Sequence, residues 1–272
     1  MKSYLVCATQ RSGSTLLCEA LKATGVAGRP EEFFEARPAT GIPPEPLDYL
    51  DGIDDPYVTG LLAGAPPPPA PPYSALAGVD GWEEHLARSL RDGTTANGVF
   101  GAKVMWNQLA DIRTLAGRDA EPLALLQDLL GPTHWVWVRR RDVLRQAVSL
   151  WRALQTQTWR EAGAEQPTAV YSRAAIAHLT ALLADHDAAW GAFFSEHGLR
   201  PLELVYEDYA RDIPGAVAAV LAHLGVSEGV SIAAEPPMKR QSDGISDEWA
   251  EAYRRGIAVR PHNTPHPLSH PE

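Results

Sequence analysis

The residue types that grip anionic esters gather at two places in this sequence. The first is a short loop, TQRSGST, at residues 9–15. Gly13 lets the backbone come close to a phosphate-like group, and Ser12, Ser14 and Thr15 add hydroxyl donors. The loop stands between a predicted strand and the start of a predicted helix. There the unpaired N–H groups and the positive end of the helix dipole favour an anion. The plain alternative is a strand–helix turn capped by Ser and Thr with nothing bound.

The second place is RRRDVLRQAVS at residues 139–149. Arg139, Arg140, Arg141 and Arg145 put four cations within seven residues at the carboxyl end of a predicted strand. Ligands of open α/β sheets bind at that end. Ser149 follows Arg141 by eight residues, which is about two helical turns. A long guanidinium and a hydroxyl could therefore converge on one phosphate. The bland reading is a solvated basic face. The strongly acidic background weighs against it, since Lys and Arg total 24 against 34 Asp and Glu, for a net charge of −10.

The loop is like a Walker A motif with its main parts missing. With Gly13, Ser14 and Thr15 placed on G-K-[ST], Ala8 stands at the first glycine and Ser14 at the lysine that reaches the β- and γ-phosphates of a nucleoside triphosphate. The basic residue, Arg11, comes early in the loop instead. Such a site suits a shorter anhydride without a metal clamp, which argues against a small-molecule kinase. A nucleotide-binding protein without chemistry would need the same loop but no base.

The elements that must hold these clusters are readable from hydrophobic pattern. Residues 3–8 (SYLVCA) form a buried strand, and Leu16, Leu17, Ala20 and Leu21 share one face of the following helix, which Gly25 ends. Further helices are expected at 81–92, 121–131, 142–155, 169–197, 213–225 and 246–257, and strands within 97–106, at 134–140 and at 201–209. Alternating strands and helices without repeats predict an α/β domain with a central parallel sheet covered on both faces. Residues 36–81 are rich in Pro and Gly, with APPPPAPP at 65–72, and read as an extended insertion over the sheet edge. One domain over residues 1–258 and a poorly ordered tail at 259–272 complete the expected organisation.

Composition closes off other classes. A pI near 5.4 excludes a general nucleic-acid binder. The two cysteines, Cys7 and Cys18, lack metal-ligand spacing and read as buried thiols of a reducing cytoplasm. The prolines between His262, His266 and His270 prevent a helix that would align them for a metal. Neither a signal peptide nor an apolar run of about 20 residues is present, so the protein is expected to be cytoplasmic and not inserted in a membrane.

TQRSGSTLL and the Arg141–Ser149 spacing resemble the 5′-phosphosulfate and 3′-phosphate motifs of the sulfotransferase superfamily. KRQSDGISDEW, at 239–249, is similar to that superfamily's late basic motif, which closes over the cofactor. More narrowly, residues 4–34 and FGAKVMWNQL (100–109) resemble the bacterial trehalose 2-sulfotransferase family. The resemblance implies a P-loop-like sulfotransferase fold, a homodimer, and 3′-phosphoadenosine-5′-phosphosulfate (PAPS) as sulfuryl donor to a hydroxyl of trehalose or a related sugar. It implies donor contacts from Arg11, Ser12, Gly13, Ser14, Thr15, Arg141, Ser149, Lys239 and Arg240, with no metal. It places Glu32, in PEEFFE, as the general base, with Glu31 its neighbour and rival, and Arg11 as the stabiliser of charge on the leaving phosphate. Phe33, Lys103, Trp106 and Asn107 are the candidate acceptor contacts, an aromatic face and an amide being suited to a sugar; a strand end with a core Trp is the alternative.

Overall fold

The computed structural model describes residues 1–35, 47–50, 52–63, 79–156, 169–226 and 244–257. Lys239, Arg240, the proline run at 65–72 and the tail at 259–272 lie outside the described residues. In chain order the elements are β1 (Lys2–Ala8), α1 (Ser14–Ala23), α2 (Leu47–Leu50), α3 (Pro56–Ala63), α4 (Trp82–Gly93), β2 (Val99–Met105), α5 (Gln108–Ala116), α6 (Pro122–Leu130), β3 (Thr133–Arg139), α7 (Val143–Thr156), α8 (Arg173–Glu196), β4 (Leu202–Val205), α9 (Tyr206–Tyr209), α10 (Ile213–Leu224) and α11 (Gly244–Arg255).

Four described strands form a sheet in the order β2-β1-β3-β4, and each pairing is parallel. Successive side chains of a strand point to opposite faces, and β1 divides accordingly. Tyr4, Val6 and Ala8 join a core with Leu17 and Leu21 of α1 and Val217, Val220 and Leu221 of α10. Leu5 and Cys7 join a second core with Ile112, Leu126, Trp190 and Phe193 from the helices of the other face. Burial on both faces is why β1 reads as a continuous apolar run. The sheet is the α/β, doubly covered parallel sheet expected from the sequence.

Register decides where the site lies. Ala8 pairs with Met105 on one side and Val138 on the other, so β1, β2 and β3 end abreast. The loop at 9–13, the turn at 106–108 and the arginine run after β3 therefore share one edge. The Ala8 carbonyl accepts from both the Trp106 N–H at 3.2 Å and the Trp190 indole N–H at 2.9 Å, which fixes the point where the first loop leaves the sheet.

Three elements depart from the sequence-based expectations. The strand expected over 201–209 ends at Val205, and Tyr206–Tyr209 turns into a helical segment. Tertiary contacts override β-propensity there: Glu207 accepts the backbone N–H groups of Arg141 and Asp142 at 3.0 and 3.1 Å, and Arg140 lies over the Tyr206 ring. The helix α5 was hidden behind the strand pattern that precedes it. The described residues of the insertion include two helices, α2 and α3, that its Pro/Gly-rich pattern did not suggest. Asp55 caps α3 by accepting from the N–H groups of Tyr57 and Val58 at 2.9 and 3.1 Å, and Pro56 sits at its first position, where proline costs nothing. Tyr49, Leu50 and Val58 are buried against α7 and α8.

Candidate functional site

The loop after β1 takes its shape from two residues in left-handed backbone conformation. Gly13 (φ 94°) is the N-cap of α1, and Arg11 has φ 60°. A Cβ at Gly13 would lie within the Tyr206 ring and 2.6 Å from the Tyr209 hydroxyl, so the absence of a side chain lets the loop press against α9. For Arg11 that conformation costs about 1–3 kcal/mol. The Arg140 guanidinium holds it by donating to the Arg11 carbonyl at 2.9 Å. Gln146 of α7 braces the loop by donating to Thr9 Oγ1 at 2.8 Å and to the Gln10 carbonyl at 2.6 Å.

Cations crowd together on this side. Burial pushes the Arg11 guanidinium down to about 10, and the nearby Arg140 and Arg152 cations push the same way. The Arg140 pKa is also lowered, chiefly by burial. The Ser12 hydroxyl is fully buried and has no partner among the described residues. A buried hydroxyl without a partner and mutually repelling cations are what an anion would satisfy.

The two halves of the arginine–serine spacing do not meet each other. Ser149 accepts instead from Arg11 Nε at 2.9 Å. Arg141 is exposed and pairs with Asp208. The rest of the basic run is structural: Arg139 binds Asp187 at 2.6 Å and Glu203 at 2.7 Å, and Arg145 binds Asp247 of α11 at 2.9 Å.

Across the edge, residues 28–31 run beside β2. Gly28 is pressed against the backbone of Phe100 and Gly101, and a Cβ there would lie 2.6 Å from the Gly101 nitrogen. The Lys103 N–H donates to the Glu31 carbonyl at 2.9 Å. This places the next residue, Glu32, over the carboxyl end of β2. Its Oε1 lies 2.8 Å from Lys103 Nζ and its Oε2 accepts from Gln108 Nε2 at 2.6 Å. Lys103 is 4% exposed and also donates to Thr15 Oγ1 at 3.2 Å. Burial, the largest single effect, would lower its pKa, but Glu32, Cys18 and Glu31 together raise it and the net direction is upward, so it stays an ammonium. Glu31 points elsewhere and pairs with Lys22.

The remaining candidates divide. Asn107 Oδ1 accepts from Gln10 Nε2 at 2.6 Å, tying the turn at 106–108 to the loop at 9–13. Trp106 packs edge-on against Trp190, with ring centroids 5.2 Å apart. Phe33 stacks on Phe100 at 6.0 Å, and Phe34 is fully buried in the core. Lys103 is a buried link between Glu32 and Thr15. Sequence reasoning named Arg140 only as one of the basic run and passed over Arg152, Gln146 and Gln108. Arg140 was visible within the RRR run; Gln108 carried only a weak signal, a side chain placed to reach back three residues at a helix start.

A carboxylate and an anion-hungry loop within two hydrogen bonds of each other suit transfer of an anionic group. A comparison with protein-family models decides which: the model described as Stf0 sulphotransferase matches residues 3–256. The chain belongs to the Stf0 sulphotransferase family. It is therefore an enzyme that transfers sulfo groups. Among curated proteins it is similar to the trehalose 2-sulfotransferase of Mycobacterium tuberculosis (strain ATCC 35801 / TMC 107 / Erdman), 42% identical over 264 residues, which cover 93% of this chain and 95% of that protein. It is also similar to the trehalose 2-sulfotransferase of Mycolicibacterium smegmatis (strain ATCC 700084 / mc(2)155), 38% identical over 263 residues, covering 93% and 94%. Membership in the Stf0 family sets aside the kinase alternative.

Proposed function

We propose that this sulfotransferase moves a sulfuryl group from PAPS to a hydroxyl of trehalose or a closely related sugar. The observation that carries the reading is the chain Glu32–Lys103–Thr15, at 2.8 and 3.2 Å, which joins a carboxylate to the first turn of the phosphate-loop helix. The residues present fit the donor. The unpartnered Ser12 hydroxyl, the amides at Gly13 and Ser14 and the Arg11 guanidinium suit the phosphosulfate. Arg141, freed from Asp208, and Ser149 suit the 3′-phosphate, with Lys239 and Arg240 as further cations. When bound, PAPS supplies the sulfuryl group, and its phosphate leaves with the electron pair of the broken S–O bond.

Glu32 takes the proton of the acceptor hydroxyl as that oxygen bonds to sulfur, and Arg11 stabilises the charge left on the phosphate. Asn107 and Trp106 line the acceptor side. Similarity to two trehalose 2-sulfotransferases supports the choice of sugar. Among the described residues no group of three or more potential metal ligands occurs, and no helix is long and apolar enough to cross a membrane. The reading is completed by one catalytic domain over residues 1–258, acting as a cytoplasmic homodimer without nucleic-acid partners.

The test is mass spectrometry of the products formed from labelled PAPS with trehalose, glucose or sucrose. A sulfated trehalose formed in step with 3′-phosphoadenosine-5′-phosphate (PAP) is expected. Failure to sulfate trehalose while sulfating another hydroxyl compound would overturn the sugar, and failure to consume PAPS at all would overturn the donor.

A further inference from the structure

A carboxylate that is to take a proton from a sugar hydroxyl must be ionised beforehand and aimed. Glu32 stands in a short segment between an isolated bridge at Glu31 and the turn at Phe33 and Phe34, so helix or strand geometry does not aim it. Aim comes from two donors, one on each oxygen. Lys103 holds Oε1 and is shared with Thr15 of α1. Gln108 holds Oε2 and belongs to the first turn of α5, beside Trp106 and Asn107.

Gln108 is built into this role. It is 3% exposed, and its Oε1 accepts the Met105 N–H at 2.9 Å. A backbone N–H can only donate, and an ionised carboxylate can only accept. The two partners together dictate which end of the amide faces which, so Gln108 presents N–H and never oxygen to Glu32. A donor fixed on the charged form favours that form.

We infer that Gln108 is a positioning residue for sulfuryl transfer, acting through Glu32. It touches neither donor nor acceptor; its amide N–H keeps Glu32 ionised and turned toward the acceptor side. The inference rests on the reading of Glu32 as the base. With Lys103 anchored to the donor loop and Gln108 to the acceptor turn, the base is held from both sides of the reaction.

Gln108→Glu separates this role from a structural one. It keeps an oxygen for the Met105 N–H but sets a second carboxyl group against Glu32, which raises the pKa of the base. Gln108→Leu removes the donor without adding charge. Both variants should lower kcat at neutral pH by about 10–100-fold, the range for a hydrogen bond to a charged group. Both should also move the acidic limb of the kcat/KM profile for the acceptor to higher pH, so that Gln108→Glu recovers rate as pH rises, with the KM for PAPS unchanged. An acidic limb that stays in place in either variant, with or without a loss of rate, overturns the inference. Glu32→Gln run alongside distinguishes the causes. If it is nearly inactive while the Gln108 variants keep the wild-type limb, Glu32 remains the base and Gln108 loses its role. If it turns over normally, both assignments fall.

Discussion

Two regions meet at the carboxyl edge of the sheet, and they handle charge in opposite ways. Around Arg11 the backbone does the shaping, with left-handed residues at Arg11 and Gly13, and the side chains bring Arg140 and Arg152 close enough to push the Arg11 pKa down. Around Glu32 the backbone is ordinary, and the side chains neutralise one another through Lys103 and Gln108. The first region leaves the buried Ser12 hydroxyl without a partner among the described residues. The second gives each oxygen of its carboxylate a donor. A donor that carries its own charges and an acceptor that carries none would call for this division.

The comparison is broken most directly at Glu32. Glu32→Gln keeps size and removes proton affinity, so kcat should fall by roughly 10²–10⁴ while calorimetry shows unchanged PAP binding. Such a pattern marks an interaction made in the transition state. Glu31→Gln should be much milder, because Glu31 pairs with Lys22. Equal damage from both would end the contrast between the regions.

Next in size is Arg141→Ala. Loss of a charge-assisted bond to the 3′-phosphate should weaken PAP binding by about 10–100-fold and leave ADP almost unaffected. Equal loss for both nucleotides by calorimetry would assign Arg141 to something other than the 3′-phosphate.

Gly13→Ala probes shape in place of charge. The methyl group would enter the Tyr206 ring, and alanine resists a φ of 94°. Strain of about 1–3 kcal/mol should lower Tm by roughly 3–9 °C for a chain of this size, and PAP should restore less of it than it adds to the wild type. A variant with wild-type Tm and PAP affinity would show that the tight loop is dispensable.

The smallest effect belongs to Asp208→Asn. Asp208 pairs with Arg141 at the surface, and exposed pairs contribute about 0.2–1 kcal/mol. Releasing Arg141 should tighten PAP binding about 1.5–5-fold at low salt, with the gain shrinking as salt rises. Weaker binding in this variant would make Asp208 a support for Arg141 and not its competitor.

Much of this division was legible in the sequence. Residues 3–25 announce a strand, a hydroxyl-rich loop and a helix, and 134–155 a strand running into a basic helix, because periodicity and capping act over neighbouring residues. What stayed hidden were choices of partner made across the fold. Arg11 and Ser149 are 138 positions apart, and no spacing rule pairs them; the local rule drew Arg141 to Ser149 instead. Glu32 was reached through the family resemblance, since its surroundings come from Lys103 and Gln108 on another strand and helix. Gln108 itself lies two residues past the strand pattern of 97–106, which gave no sign of α5.

The position of β1 has a consequence for how the chain comes to be folded. β1 leaves the ribosome before both of the strands that flank it, β2 and β3, which begin at Val99 and Thr133. Its apolar residues have no lateral partner until Val99–Met105 has been made and lack the second until Thr133–Arg139 follows, and β4 and α10 come later still. Parallel pairings of such long sequence separation form slowly, and an unpaired apolar strand is prone to association meanwhile. The nascent β1 segment should thus depend on being shielded, and a fragment ending before Thr133 should not be recoverable as a soluble folded unit.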